Sequence, residues 1–280
     1  MLFGLFKEKE LKMVWQARKE GQVSYLVGTA HFFPHSFKAS LTRLIEKAET
    51  CIFEGPLDEA SMQSVVEAGY MGDRNWSLLQ ELDAATISSL ARAVSPNLGK
   101  ESPLHELLLG ATQRSLSELV RGMKPWMAFF TIYSAFLETL RWKHSDDLEA
   151  IEIAKALDRH IVPLETIEEQ IEVLDTIDRE QIIEFLKRVT HWKKYTSDFA
   201  RWYLSGRLDK IASNPYGFPT RNPWVIDRRD RILFDRMLGH LDRGNAVVCV
   251  GVPHIAGISG LLVSKGYELT RYGQLYTSYR

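Results

Sequence analysis

Four short apolar runs constrain this chain more than any other feature, because each stops at a residue able to bind a metal or move a proton. Tyr25-Leu26-Val27-Gly28-Thr29-Ala30-His31 and Val248-Cys249-Val250-Gly251-Val252-Pro253-His254 end with the same Gly-x-x-His spacing. Cys51-Ile52-Phe53-Glu54-Gly55 and Ile161-Val162-Pro163-Leu164-Glu165-Thr166 end at a carboxylate. Runs this short, bounded by glycine or proline, read as buried strands. Leu41, Leu44, Ile45 and Ala48 fall at helical spacing between the first two runs. Strand, helix and strand within roughly 30 residues form a βαβ unit, which implies parallel pairing through a right-handed crossover.

The remaining pattern fits a sheet with helices around it. Weak alternation over Lys12 to Arg18, a turn at Gly21-Gln22 and the run Val23 to Val27 predict an entering hairpin. Pro163 cannot donate to a ladder, so its strand belongs at an edge or ends there. The middle is predicted to be largely helical, through Leu78 to Leu82, Leu104 to Leu109, Leu116 to Val120 and Trp126 to Leu140, with breaks at Pro96 to Gly99 and Glu101 to Pro103. Asp146-Asp147 opens a helix expected to present Leu148, Ile151, Ala154 and Leu157 on one face, the acids suiting its dipole. Helices follow over 167–176, 179–192, 195–204, 224–241 and 255–263, with a loop at 213–219 and last strands at 246–250 and 267–270. The expected fold class is α/β: a mixed, mostly parallel central sheet with flanking helices. One domain over 1–280 is expected, with a helical insertion at about 58–158 and a second helical segment at about 167–213.

Composition removes several classes of function. Lys plus Arg is 35 and Asp plus Glu is 36, a net charge of −1. That balance argues against a nucleic-acid binder and against docking to an anionic membrane by bulk charge. Two cysteines make neither a disulfide framework nor a thiolate metal cage. Trp126 to Leu140 is shorter than the roughly 20 residues of a spanning helix and contains Glu138. With no signal-like N-terminal stretch, the expectation is a cytoplasmic chain without a membrane span.

Parallel strands would deliver His31, His254, Glu54 and Glu165 to one crevice, since open α/β sheets bind ligands beyond the carboxyl ends of their strands. Each motif glycine is expected to let the backbone leave its strand sharply, so that the imidazole folds back over the sheet edge. His31, His254 and a glutamate, Glu54 preferred, make a suitable first shell for a divalent ion such as Mn, Co or Zn. Glu165 would be the general base or a further ligand; spacing leaves open which glutamate takes which role. Arg221, after a proline-rich loop, offers a fork for a substrate carboxylate or an oxyanion. His35, His105, His144, His160, His191 and His240 read as surface histidines. Asp227-Arg228-Arg229-Asp230-Arg231 reads as a solvated helix face. Aromatic stripes over 126–137 and 192–203 read as core rather than groove.

The motifs Val14-Trp15-Gln16-Ala17, Gly28-Thr29-Ala30-His31, Glu54-Gly55, Lys124-Pro125-Trp126, Leu164-Glu165-Thr166, Arg221-Asn222 and Gly251-Val252-Pro253-His254 through Leu261 occur in one order along nearly the whole chain. In this the chain resembles the TraB/GumN/PrgY family. The resemblance implies a fold similar to the erythromycin-esterase and ChaN group, and its TIKI members imply metal-dependent peptidase chemistry. It adds Asn222 and Trp126 as substrate-binding candidates and matches His31, His254, Glu54, Glu165 and Arg221 to family positions. The family's frequent Gly-Leu-Asp is replaced here by Ser145-Asp146-Asp147. The expected function is a metal-dependent hydrolase, a peptidase first, acting on a peptide or small molecule. The alternatives are a non-catalytic peptide-binding protein and a metal-independent His/Glu hydrolase; a homo-oligomer is left open.

Overall fold

The computed structural model describes residues 9–73, 75–94 and 115–273, apart from the side chains at 223–224. The chain enters through β1 (Val14–Lys19) and β2 (Gln22–Thr29), paired antiparallel across a two-residue turn. Both turn residues, Glu20 and Gly21, have positive φ (51° and 82°), the twist that a tight hairpin demands. Then come α1 (Lys38–Ile45), β3 (Thr50–Phe53), α2 (Glu59–Ala68), α3 (Ala84–Val94), α4 (Leu116–Leu119), α5 (Pro125–Thr139), α6 (Asp146–Ala156) and β4 (His160–Pro163). The second half holds α7 (Ile167–Asp175), α8 (Arg179–Lys187), α9 (Trp192–Ser205), α10 (Leu208–Ala212), α11 (Pro223–Arg243), β5 (Ala246–Gly251), α12 (Ile255–Ser264) and β6 (Glu268–Arg271). The turns predicted over Leu104 to Leu109 and their flanking breaks lie outside the described residues.

The sheet is α/β in class and mostly parallel, with strand order β4-β3-β5-β2-β1-β6. β4, β3, β5 and β2 are neighbours in parallel register, while β1 is antiparallel to both β2 and β6. Pro163 falls on the edge strand, as its missing donor requires. β5 sits between β3 and β2 and is buried along its whole length. Val247, Val248 and Val250 join Leu26, Val27, Cys51 and Ile52 in one apolar cluster with the surrounding helices. Both cysteines are free and buried, and burial pushes each thiol above its usual range.

Three expectations about local structure need correction. Gly28 and Gly251 are not among the positive-φ residues, so neither motif turns sharply out of its strand through a left-handed glycine. Close approach is what excludes a side chain there. A Cβ on Gly28 would lie 2.9 Å from Ile255 Cγ1 and 3.3 Å from Val252 Cα, and one on Gly251 would lie 3.0 Å from Glu54 Oε1. Leu148 is 49% exposed, so it does not share the inward face of α6. Asp146 and Asp147 occupy the buried side of that first turn instead, above Ala150, Ile151 and Ala154. Both aromatic stripes also split: Trp126, Phe129, Phe136 and Trp192 are core, whereas Phe130, Tyr133, Tyr195, Phe199 and Trp202 line a cavity.

No helix among the described residues is long and apolar enough to cross a membrane.

Gly28→Ala is expected to lower the free energy of unfolding by roughly 1–3 kcal/mol, the cost of overpacking a filled core. Urea titration measures it; an unchanged midpoint would show that Val252 and Ile255 yield freely.

Candidate functional site at the carboxyl edge of the sheet

The ladder between β3 and β4 continues past both strands. Leu164 N–H donates to Phe53 O at 2.8 Å and Glu165 N–H to Glu54 O at 2.7 Å. These rungs place Glu54 and Glu165 side by side at the carboxyl edge. Next to them β5 ends at Gly251, and a short 3₁₀ turn over Val252–His254 brings His254 into the edge, buried. Beyond β5, β2 ends at Thr29 and leads to His31.

The group that joins these strand ends comes from α11. Arg229 donates through Nε (3.1 Å) and Nη2 (2.6 Å) to both oxygens of Glu165, a bidentate fork. Its Nη2 also reaches Glu54 Oε2 at 3.1 Å, and its Nη1 lies 3.1 Å from His254 Nε2. The next residue, Asp230, is buried and sits 2.6 Å from His254 Nδ1. A guanidinium can only donate, so Nε2 accepts from Arg229 and the ring proton on Nδ1 goes to Asp230. Two turns beyond Arg229, Arg236 donates to Leu164 O (2.6 Å) and to both oxygens of Glu169, fastening α11 to the turn after β4.

The charge pattern reads Arg229 and Asp230 as part of a solvated face; in the structure Asp230 is buried and Arg229 half-buried. The missed signal is periodicity: Leu233, Met237 and Leu241 are buried on α11, and one turn back from Leu233 the same face holds Arg229 and Asp230. Glu54 is pushed up by burial and pulled down further by Arg229 and the Gly251 N–H, which bonds its Oε1, ending at about 2. Burial raises the Asp230 carboxyl, offset in part by His254. Arg229 stays charged, because its two glutamates outweigh the cost of its burial.

His31 is held from α6. Its Nδ1 lies 2.8 Å from Asp147 Oδ2, while the ring itself is 68% exposed. The Asp147 charge, joined by its hydrogen bond, pushes the imidazole up to about 9 against the opposing effect of desolvation. The adjacent Asp146 accepts from Ala30 N–H (3.1 Å) and Tyr203 O–H (2.6 Å), and its other oxygen is buried without a partner among the described residues. Phe33 and His144 exchange backbone hydrogen bonds of 2.8 and 3.1 Å, pinning the His31 loop to the head of α6. Asp147 is a third site residue that the sequence pattern does not mark, since a helix-dipole role accounts for it.

A cavity of about 300 Å³ opens on this edge, and its lining includes His31, Glu54, Arg229 and His254 together with Tyr133, Phe199, Trp202, Phe218 and Arg221. A smaller recess of about 190 Å³ shares His31, Glu54 and Arg229 with Asp147 and Gln170. Arg221 lines the cavity too, and no carboxylate among the described residues forms an ion pair with it. Glu165 lies behind Arg229, outside the residues lining either recess. Trp126 is not brought to the cavity: it is buried, and its indole N–H donates to Asp175 at 2.8 Å. Asn222 is half-buried at the head of α11 and also outside the lining, and His35 packs edge-on against Phe33.

An ion shared by His31, His254 and Glu54 needs their donors to converge at about 2 Å from one point. His254 Nε2 and Glu54 Oε1 are 3.9 Å apart, but the Arg229 guanidinium lies 3.1 Å from each residue and already fills the place of a cation. Among the described residues no three His, Cys, Asp or Glu side chains are grouped to hold a metal. As placed, these residues do not fit a resident ion.

Comparison with known sequences follows the same boundaries. The TraB/PrgY/gumN family model matches residues 13–271. An uncharacterized protein of Treponema pallidum (strain Nichols) is 26% identical over 219 residues, which cover 74% of this chain and 61% of the relative. The chain thus spans about three fifths of the length of that curated relative. No solved structure matches.

Two outcomes are expected. Arg229→Met leaves Glu54 and Glu165 buried without their cation and should cost about 3–5 kcal/mol in urea unfolding; a loss below about 1 kcal/mol would show the glutamates to be neutralised otherwise. Burial, joined by the Asp147 charge, raises the Asp146 carboxyl to about 7, with Tyr203 and Ala30 opposing. Since the unfolded value is about 3.9, the folded state binds more protons between the two, and this group's contribution falls as pH rises from about 4 to about 7. Asp146→Asn, which cannot ionise, should flatten that part of the stability profile; an unchanged slope in urea titrations at about pH 5 and about pH 8 would remove Asp146 as its source.

Proposed function

The chain belongs to the TraB/PrgY/gumN family, and from that premise we propose that it is a hydrolase of amide or ester bonds, a peptidase first, working from the carboxyl edge of its sheet. One observation carries the reading: His254 is buried at the cavity, its Nδ1 2.6 Å from Asp230 and its Nε2 turned to Arg229. A carboxylate that fixes the tautomer of a histidine and stabilises its imidazolium is the arrangement of a general base.

In this reading, a substrate carbonyl takes over the Nη1 donor of Arg229, which frees the Nε2 lone pair of His254. Water attacking the carbonyl carbon gives its proton to Nε2, and Asp230 holds the imidazolium that forms. The carbonyl oxygen becomes an anion facing the guanidinium, whose charge Glu54 and Glu165 keep aimed rather than cancelled by solvent. His31, protonated at neutral pH through Asp147, gives a proton to the departing nitrogen or oxygen. The products are a carboxylic acid and an amine or alcohol, and both imidazoles reset through water.

The test is hydrolysis of a fluorogenic peptide library and of aryl esters, with and without chelator. His254→Ala should lower kcat by about 10²–10⁴, and Asp230→Asn by a similar order with the fold intact. Turnover should survive chelation. Wild-type turnover in His254→Ala ends this reading, and peptide binding without cleavage leaves a binding protein on the same scaffold. Stoichiometric Mn, Co or Zn with activity lost to chelator returns the chemistry to an ion on His31, His254 and Glu54.

A further inference from the structure

Arg221 is the group in this cavity whose surroundings are least explained by the fold. Its guanidinium lies 5.3 Å from the ring centre of Phe199 and 5.5 Å from that of Phe218, and among the described residues it makes one long hydrogen bond, Nη1 to Ile211 O at 3.5 Å. No carboxylate among the described residues forms an ion pair with it. Among the described residues Glu54 is the one acid lining the cavity, and Arg229 already holds it. Asp198, on the neighbouring α9, is bonded to Lys194, Arg201 and Tyr216. Aromatic faces return only part of what a guanidinium loses on leaving water, about 0.5–2 kcal/mol, so a cation enclosed this way is short of an anion. Desolvation draws it down to about 10, which keeps it charged at neutral pH.

The loop that carries it is set in advance. Asn214 Oδ1 accepts from Phe218 N–H at 2.9 Å, its Nδ2 donates to Phe218 O at 3.3 Å and Arg221 O at 3.4 Å, and Tyr216 stacks on Tyr195 with centroids 4.0 Å apart. The fork therefore needs little ordering when a ligand arrives, the condition under which a charged contact yields most affinity.

We infer that Arg221 is a specificity-determining residue which binds the carboxylate of a substrate whose adjoining portion is apolar or aromatic and lies between Tyr133, Phe199, Trp202 and Phe218. A single fork with apolar walls suits a monoanionic, planar carboxylate; a phosphate dianion would want further donors, and Arg229 is engaged with Glu54 and Glu165. Transition-state charge then falls to Arg229, and Arg221 chooses the substrate. The inference rests on the cavity being the substrate site, and its test uses binding alone, so that it can fail while hydrolysis stands, or stand while hydrolysis fails.

The probes are phenylbutanoate against phenylbutanamide, and an apolar tripeptide with a free C-terminus against its amidated twin. Each is titrated by calorimetry and by the fluorescence of Trp142 and Trp202, which both line the cavity, into the full chain and into His254→Ala, which blocks turnover. The acid of at least one pair should bind about 10- to 100-fold more tightly than its amide, the range for hydrogen bonds to a charged group. Preference within the peptide pair alone names peptide C-termini, and preference within the phenylbutanoate pair alone names small acids. Arg221→Gln should abolish the preference with little change in amide binding. Where Arg221→Gln does not fold, Arg221→Lys serves, and the preference should fall several-fold because a point charge replaces the fork. Equal binding of acid and amide in both pairs, no saturable binding of any probe, or a preference that survives substitution of Arg221 overturns the inference.

Discussion

The site depends on one half-buried cation. Arg229 is held between carboxylates from two adjacent strands and an imidazole from a third, and three of the sheet's chain segments end against it. Two neighbouring acids at one sheet edge repel each other and lose hydration together. A guanidinium that reaches both turns that conflict into a fixed geometry. Because Arg229 and Arg236 clasp the same β4 turn, α11 is set across the strand ends rather than resting on them. Asp230 then falls at His254 through its place on the helix. Binding, charge and ring orientation at this edge follow from where one helix lies.

The fold was legible because its punctuation is local. Short apolar runs, glycines and prolines at their ends, and helical spacing between them yield a mostly parallel sheet with a hairpin at one side, and Pro163 marks an edge. What the glycines do was not legible. Gly28 and Gly251 are spaced alike, yet what excludes a side chain is Ile255 and Val252 at one and the Glu54 carboxylate at the other. Such neighbours come from elsewhere in the chain, and spacing along the chain carries no record of them.

The site was half legible for a related reason. Strand ends announce their residues, so His31, His254, Glu54 and Glu165 stand out. Helical charges do not: a run such as Asp227 to Arg231 looks alike whether solvent or a sheet edge faces it. Only the buried phase of Leu233, Met237 and Leu241 marks Arg229 and Asp230 as inward. Asp146 and Asp147 were hidden for the same reason at the start of α6, where a helix-dipole explanation was sufficient and an apolar face was expected. Trp126 illustrates the opposite error, because a motif tryptophan at the head of α5 serves packing and a hydrogen bond to Asp175.

The hydrogen bonds that build the site join residues far apart in sequence: 116 positions separate Ala30 from Asp146, and 175 separate Glu54 from Arg229. Loop closure of that span must be accomplished before any of these contacts stabilises the chain. The carboxylates of β3 and β4 stay hydrated until α11 docks, and the His31 loop lacks its acid until the helices after β3 have returned to the sheet. During synthesis Arg229 leaves the ribosome after both glutamates, and His254 later still. A nascent or partly unfolded chain of this sequence thus holds the reactive side chains without the charges that orient them. The charge arrangement at this edge is therefore complete only with the last turns of the fold, and a molecule caught midway holds these side chains unpaired and hydrated.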